Sequence, residues 1–362
     1  MNLDLLRQLS ETAGVSGDES RVRRLIAGAV RDKVDSLTAD QIGNLIAFKA
    51  GHGTDGDGKE RDEKDGDGSP GGQRFKVMVA AHMDEVGLMV TDFDGDGHLR
   101  FAAVGGVDAR VLVSQPVRIG SGGVPGVIGL TPVHLTEAAE RKKPATMKNL
   151  RVDIGADSKE AAQKLVRRGD YISFDTVLLD LGPTLLGKAF DDRGGCAMLI
   201  EVLGESYPFD LYAVFTVQEE VGLRGARVAA YQLAPDAAFV LECGTTDDTP
   251  KKRDDTPVMR LGHGPAITVM DRSMVADARL VRHLRDTAEA EGIPYQLRAP
   301  KGGGTDAGRI HLAREGVPSA VVSIPCRYLH APASLIHKSD FQNAVALMKA
   351  ALRRMSPAVL ER

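Results

Sequence analysis

The chain has 362 residues, more than one ordinary core accommodates, so a large domain with a second, smaller one is expected. Its formal net charge is -4, and its 46 basic side chains are dispersed among 50 acidic ones, so no basic stripe is left for nucleic acid. The opening MNLDLLRQLSETAG lacks a basic start followed by an apolar stretch, and no later run is long enough to span a bilayer, which predicts a cytoplasmic protein without a membrane segment.

Helices are predicted over 4–9 and 19–34, the second with apolar residues at helical spacing and Asp18 or Ser16 available to cap it. A short strand follows at 44–49. Residues 51–72 are rich in Asp, Gly, Lys and Glu and carry no large apolar side chain, so a disordered acidic loop is expected there. A buried strand is read at 76–81. From 87 to 174 short alternating segments punctuated by Gly and Pro indicate a small β-rich domain, with one helix at 158–168. Within it Asp92, Asp94 and Asp96 before Gly97 open like a calcium loop, but the twelfth position is Ala103, so a hairpin turn is the better account.

After residue 187 strands and helices alternate, with helices at 194–204, 223–231, 276–291, 306–315 and 340–355 and strands at 211–217, 237–241 and 320–324. That order is α/β. The simplest architecture is one α/β domain made from both ends of the chain, with the β-rich region inserted after the strand that ends near His82. Cys196, Cys243 and Cys326 are an odd set without C-x-x-C spacing and are expected to be reduced and buried.

Four apolar runs end in polar residues: VMVAAHMDEVG in His82 and Asp84, VFTVQEEVG in Glu219 and Glu220, FVLECG in Glu242, and VVSIPCRYLHAP in His330. Sites in open α/β sheets form at the carboxyl ends of strands, so these residues can converge. Adjacent carboxylates raise each other's pKa unless a cation neutralises one, which points to a bound metal with a free base beside it. His82 and Asp84 are two apart and face the same side of an extended backbone, so Asp84 can hold one ring nitrogen while the other binds metal. Asp191 and Asp192 stand just ahead of a helix, where an anion could bridge two cations. Histidines with several carboxylates suit zinc, cobalt or manganese better than magnesium. Structural readings compete with these. Asp191 and Asp192 could cap a helix, Glu242 could pair with an arginine, and KGGGTDAG at 301–308 could cradle a phosphate, although it lacks the Walker spacing. His337 rivals His330 but lies beside a helix cap at Ser339 or Asp340.

The motifs HMDEVG, KAFDDRGG, QEEVGLRGA, GGGTDA and RYLHAP, in this order, resemble those of the tetrahedral dinuclear aminopeptidases, which include glutamyl and deblocking aminopeptidases and have sometimes been labelled endoglucanases. The resemblance covers nearly the whole chain outside 51–72. It implies an α/β, mixed-sheet metallopeptidase domain with helices on both faces, formed by 1–84 and 177–362, and an inserted β-rich dimerisation domain over 85–176. It also implies two divalent ions, zinc, cobalt or manganese, bridged by Asp191. His82 and Glu242 would complete one metal site, Glu220 and His330 the other, with Glu219 as general base; Asp84, from its place two residues after His82, is expected to support catalysis by holding that ring. The family commonly has Asp where this chain has Glu242, whose carboxylate reaches one methylene further. The implied substrates are short peptides with a free N-terminus, and the implied assembly is a hollow tetrahedral dodecamer. Two other readings remain. A glycoside hydrolase also uses paired carboxylates, but these stand about 5 to 9.5 Å apart, and the chain has no tryptophan for a sugar platform. A non-catalytic metal-bound assembly protein would not need a spare base such as Glu219.

Overall fold

The computed structural model describes residues 1–52, 74–139, 141–249, 259–298 and 303–361, so most of the expected acidic loop at 51–72 lies outside the described residues. Helix α1 (Leu3–Glu11) starts where the Asn2 side chain accepts the Leu5 N–H. Helix α2 (Ser20–Val30) ends earlier than expected, in a short 3-10 turn, and neither Ser16 nor Asp18 caps it. Strands β1 (Ser36–Ala39), β2 (Leu45–Lys49) and β3 (Lys76–His82) follow; β1 is exposed and carries no sequence signal for a buried strand.

The inserted region forms a closed barrel from β4 (Gly87–Phe93), β5 (Leu99–Val104), β6 (Pro116–Ile119), β7 (Val124–Gly129), β8 (Arg151–Asp153) and β9 (Tyr171–Phe174), in the order β4-β5-β8-β7-β6-β9. Its alternating inward residues, among them Leu88, Val90, Leu99, Val117, Ile119 and Ile172, make a hydrophobic cluster of their own. Helix α3 (Lys159–Leu165) is capped by Ser158. The β4–β5 connection is the expected hairpin, and Asp92 and Asp94 pair there with arginines on neighbouring segments.

The remainder comprises β10 (Leu179–Asp180), β11 (Thr184–Gly187), α4 (Phe190–Val202), β12 (Asp210–Thr216), α5 (Arg224–Leu233), β13 (Ala237–Thr245), β14 (Ala266–Thr268), α6 (Ala278–Glu291), β15 (Gln296–Arg298), α7 (Ala307–Ile310), β16 (Ser319–Arg327), β17 (Ser334–His337) and α8 (Lys338–Arg353). The main sheet runs β1-β2-β12-β3-β13-β16-β17-β11-β10, with β14 and β15 beside β16. Strands β12, β3, β13 and β16 are parallel to their neighbours in that series, and the flanking pairs are antiparallel, so the sheet is mixed. Continuous apolar runs in the central strands follow from cover on both faces. Val77, Val79, Phe215 and Leu241 pack with α1, α2, α4, α6 and α8, whereas Met78, Ala80, Val214 and Val240 pack with α5 and α7.

Two expectations need correction. The helix expected at 306–315 is only Ala307–Ile310, because the chain turns through positive φ at Arg314 and Gly316 to enter β16. The strand expected at 237–241 continues to Thr245, so Glu242 sits inside it. Strand β13 nonetheless pairs with β3 only as far as Val240, two residues short of Glu242.

Candidate metal centre

Strand β3 delivers His82, which is 1% exposed. Its Nε2 lies 3.2 Å from Asp191 Oδ1, and its Nδ1 lies 3.0 Å from the Asp84 carbonyl and 3.5 Å from Asp84 Oδ1. The closer support of the ring is therefore the backbone of Asp84 and not its carboxylate. That carboxylate does something else. Its Oδ1 accepts the Glu219 N–H at 3.0 Å, and its Oδ2 accepts the Glu220 N–H at 3.1 Å and the Ser16 hydroxyl at 2.6 Å. Burial opposes its ionisation, but contacts with His82, Ser16 and the Glu219 N–H prevail and hold its pKa below the usual carboxylate value. Asp84 thus ties the end of β3 to the loop bearing both glutamates.

The start of α4 separates two neighbouring aspartates. Asp191 and Asp192 have non-helical dihedrals, and the peptide between them is cis. Asp192 accepts the Gly195 N–H at 2.8 Å and the His82 N–H at 3.2 Å, which makes it the cap of the regular helix that follows. Asp191 instead presents one oxygen to each histidine: Oδ1 to His82 Nε2 and Oδ2 to His330 Nε2, both at 3.2 Å. A Cβ on Gly195 would sit 2.3 Å from both Asp192 oxygens, so glycine is required there.

His330 lies three residues beyond β16, in a left-handed conformation with φ 58°, and its Nδ1 is 3.0 Å from the Gly106 carbonyl of the barrel. Its Nε2 is 3.2 Å from Glu220 Oε2. Glu219 Oε2 and Glu242 Oε2 stand 4.0 and 3.8 Å from His82 Nε2. His337 lies elsewhere, as the N-cap of α8, where it accepts the Ser339 N–H. The cysteines are free and buried. Of KGGGTDAG, Gly303 to Thr305 line a cavity of about 380 Å³ together with Glu219, Glu242 and His330.

Among the described residues, three donor groups have ligand atoms within 4.8 Å of one another: His82, Glu219 and Glu242; His82, Asp191 and Glu220; and Asp191, Asp192 and Glu242. Burial, followed by neighbouring charge, raises the pKa of Glu219 and Glu242 well above ordinary values and that of Glu220 to about 8. Burial opposes a charged His330, but Asp191 and Glu220 outweigh it and raise its pKa to about 9. Glu220 Oε1 is buried with no hydrogen-bond partner among the described residues. Crowded carboxylates facing two imidazoles, one of them with an orphaned oxygen, fit divalent cations of the kind bound by mixed nitrogen and oxygen donors.

Sequence reading missed the groups that hold this constellation in place. Glu85 takes two contacts from Lys188, at 2.7 and 2.8 Å, and Arg193 donates to the Met83 carbonyl at 2.7 Å; all three side chains are buried. The charged runs around them contained the only available signal, since a Lys and an Arg flanking a site motif read equally well as surface residues.

A family model described as M42 glutamyl aminopeptidase matches residues 68–347. A putative aminopeptidase of Acetivibrio thermocellus is 40% identical, covering 96% of this chain and 98% of that protein. Among solved structures, an aminopeptidase from the archaeon Desulfurococcus kamchatkensis superposes with TM-score 0.89 at 36% identity, over 99% of this chain and 96% of that one. The TET1 peptidase of Pyrococcus horikoshii, described as able to assemble into a tetrahedron or a large octahedral shell, superposes with TM-score 0.82 at 32% identity, over 98% and 99% of the chains.

Proposed function

The chain belongs to the M42 glutamyl aminopeptidase family and is a metal-dependent aminopeptidase, and on that premise we propose that it removes N-terminal residues from short peptides at a site for two divalent ions. The observation that carries this reading is Asp191, whose two oxygens face two different imidazoles. In this reading Asp191, His82 and Glu242 would hold one ion, and Asp191, Glu220 and His330 the other. Zinc, cobalt or manganese suits the donor set. Bound there, such ions supply Lewis acidity toward a carbonyl and lower the pKa of water.

The remaining chemistry belongs to the chain. Glu219 lines the cavity with its carboxylate 4.0 Å from His82, a position suited to a group that must accept a proton from water at a carboxylate oxygen and return it to the leaving amine. Asp84 keeps the Glu219 and Glu220 backbone in register with His82. Glu242, where the resemblance leads one to expect Asp, reaches its position from inside β13, recessed behind the strand end.

We further propose that residues 1–84 and 177–362 form the catalytic domain and 85–176 a dimerisation domain that builds a dodecamer. Val133 and Leu135, 56% and 79% exposed on the barrel side, support a self-association surface. Among the described residues no helix is long and apolar enough to cross a membrane. With three free cysteines, a cytoplasmic location is the fitting compartment. Hydrolysis of a panel of aminoacyl anilides, before and after chelation and with each candidate metal restored, tests the activity. Release of aminoacyl groups that stops on chelation is expected; turnover indifferent to chelation, or release of sugar from a glucan instead, would refute it.

A further inference from the structure

Residues 14–19, GVSGDE, pass behind the site between α1 and α2. They are latched at several points. Gly14 N–H donates to Glu85 Oε1 at 3.0 Å, Glu85 N–H donates to the Gly14 carbonyl at 3.0 Å, and Ser16 N–H donates to the Glu85 carbonyl at 3.3 Å. Arg193 donates to the carbonyls of Thr12 at 2.8 Å and Gly14 at 3.4 Å. Lys188 holds Glu85, and Lys188 and Arg193 flank Asp191 in sequence, so this segment and the Asp191 loop share one set of buried anchors.

From that anchored segment two side chains, each 4% exposed, reach the loop of paired glutamates. Ser16 Oγ donates to Asp84 Oδ2 at 2.6 Å. Glu19 accepts the Gly17 N–H at 2.7 Å and the Gln218 N–H at 3.2 Å. Gln218, immediately before Glu219, is held at φ 55°, a conformation that a residue with a Cβ adopts only when its surroundings impose it.

We propose that Ser16 and Glu19 are positioning residues for peptide hydrolysis, fixing from behind the loop that aims Glu219; this rests on the aminopeptidase reading. Asp84 is pinned by three donors besides His82, namely two backbone N–H groups and the Ser16 hydroxyl. Without the hydroxyl, Oδ2 keeps the Glu220 N–H alone, and the carboxylate gains freedom to rotate. Without Glu19, the N–H of Gln218 loses its acceptor at the point where the chain turns. Small displacements of a proton-transfer group slow turnover far more than they weaken substrate binding.

The test is steady-state kinetics on an aminoacyl anilide that the wild type cleaves, with bound metal and melting temperature measured on every variant. Ser16→Ala and Glu19→Ala should lower kcat by about tenfold or more, with KM within about twofold and metal content retained. Ser16→Thr, which keeps the hydroxyl, and Glu19→Gln, which keeps an acceptor oxygen, should recover most of the loss. If Ser16→Ala does not fold, Ser16→Cys, a weaker donor of similar shape, is measured against the same outcomes. A kcat in Ser16→Ala within about twofold of wild type overturns the proposal. A loss that follows bound metal or melting temperature, or that the conservative variants fail to restore, also overturns it. A wild type that cleaves no anilide refutes the activity reading as well, whereas wild-type turnover with undiminished alanine variants refutes the positioning role alone.

Discussion

Glu219 and Glu220 are adjacent but sit in different surroundings. Glu220 Oε2 is 3.2 Å from His330, whereas Glu219 Oε2 is 4.0 Å from His82, and both residues border the cavity. Their replacement by glutamine should therefore fail in two ways. Glu219→Gln should keep its metal and lose about a hundredfold or more in kcat, because only proton transfer is removed. Glu220→Gln should weaken metal binding and be partly restored by excess ion. Metal analysis alongside kinetics checks both, and exchanged phenotypes would reverse the assigned roles. The same residues predict a pH effect. In the metal-free site Glu220 titrates at about 8 and His330 at about 9, so both hold protons at neutral pH, and binding ions must expel them. Each pKa is raised from its ordinary value of 4.5 or 6.5, so the stability these groups lend the metal-free fold is full below that value and is lost as pH rises through the folded one. Zinc titrations at pH 7 in buffers of different protonation enthalpy should report proton release that fades toward pH 10; no buffer dependence would contradict it.

At the scale of elements, all of the site but Glu242, which sits inside β13, is assembled where regular structure stops: β3 at His82, β12 at Thr216 and the non-helical turn at the head of α4. Gly195 makes that turn possible, since any Cβ would press on the Asp192 carboxylate. Gly195→Ala should cost about 1–3 kcal/mol of stability and weaken metal binding, because Asp191 would be displaced with its neighbour. Thermal melts with and without metal would show this, and an unshifted melt would contradict it. The helices and central strands were legible from periodicity because their apolar faces are long and continuous. The short strands β14, β15 and β17 were not, since three or four residues carry too little pattern to register. The polar strand endings pointed to His82, Glu219, Glu220 and His330. The roles of Ser16 and Glu19 were invisible, because their partners Asp84 and Gln218 lie 68 and 199 residues away and both residues resemble helix-start signals.

At the scale of the whole molecule, the barrel reaches the site, since the Gly106 carbonyl lies 3.0 Å from His330 Nδ1. Assembly through the barrel would then steady a histidine as well as enclose it. Charging the exposed surface with Val133→Glu and Leu135→Glu should break a large particle into smaller species by light scattering; an unchanged mass would place the interface elsewhere. The central claim is that two ions held by His82, Asp191, Glu220, Glu242 and His330 carry the hydrolysis. Its most direct test is to titrate metal-free protein with zinc, cobalt or manganese while counting bound ions and measuring hydrolysis of an aminoacyl anilide. The account predicts negligible activity without metal and a plateau at two ions per chain; full activity at one ion, or without any, would contradict it.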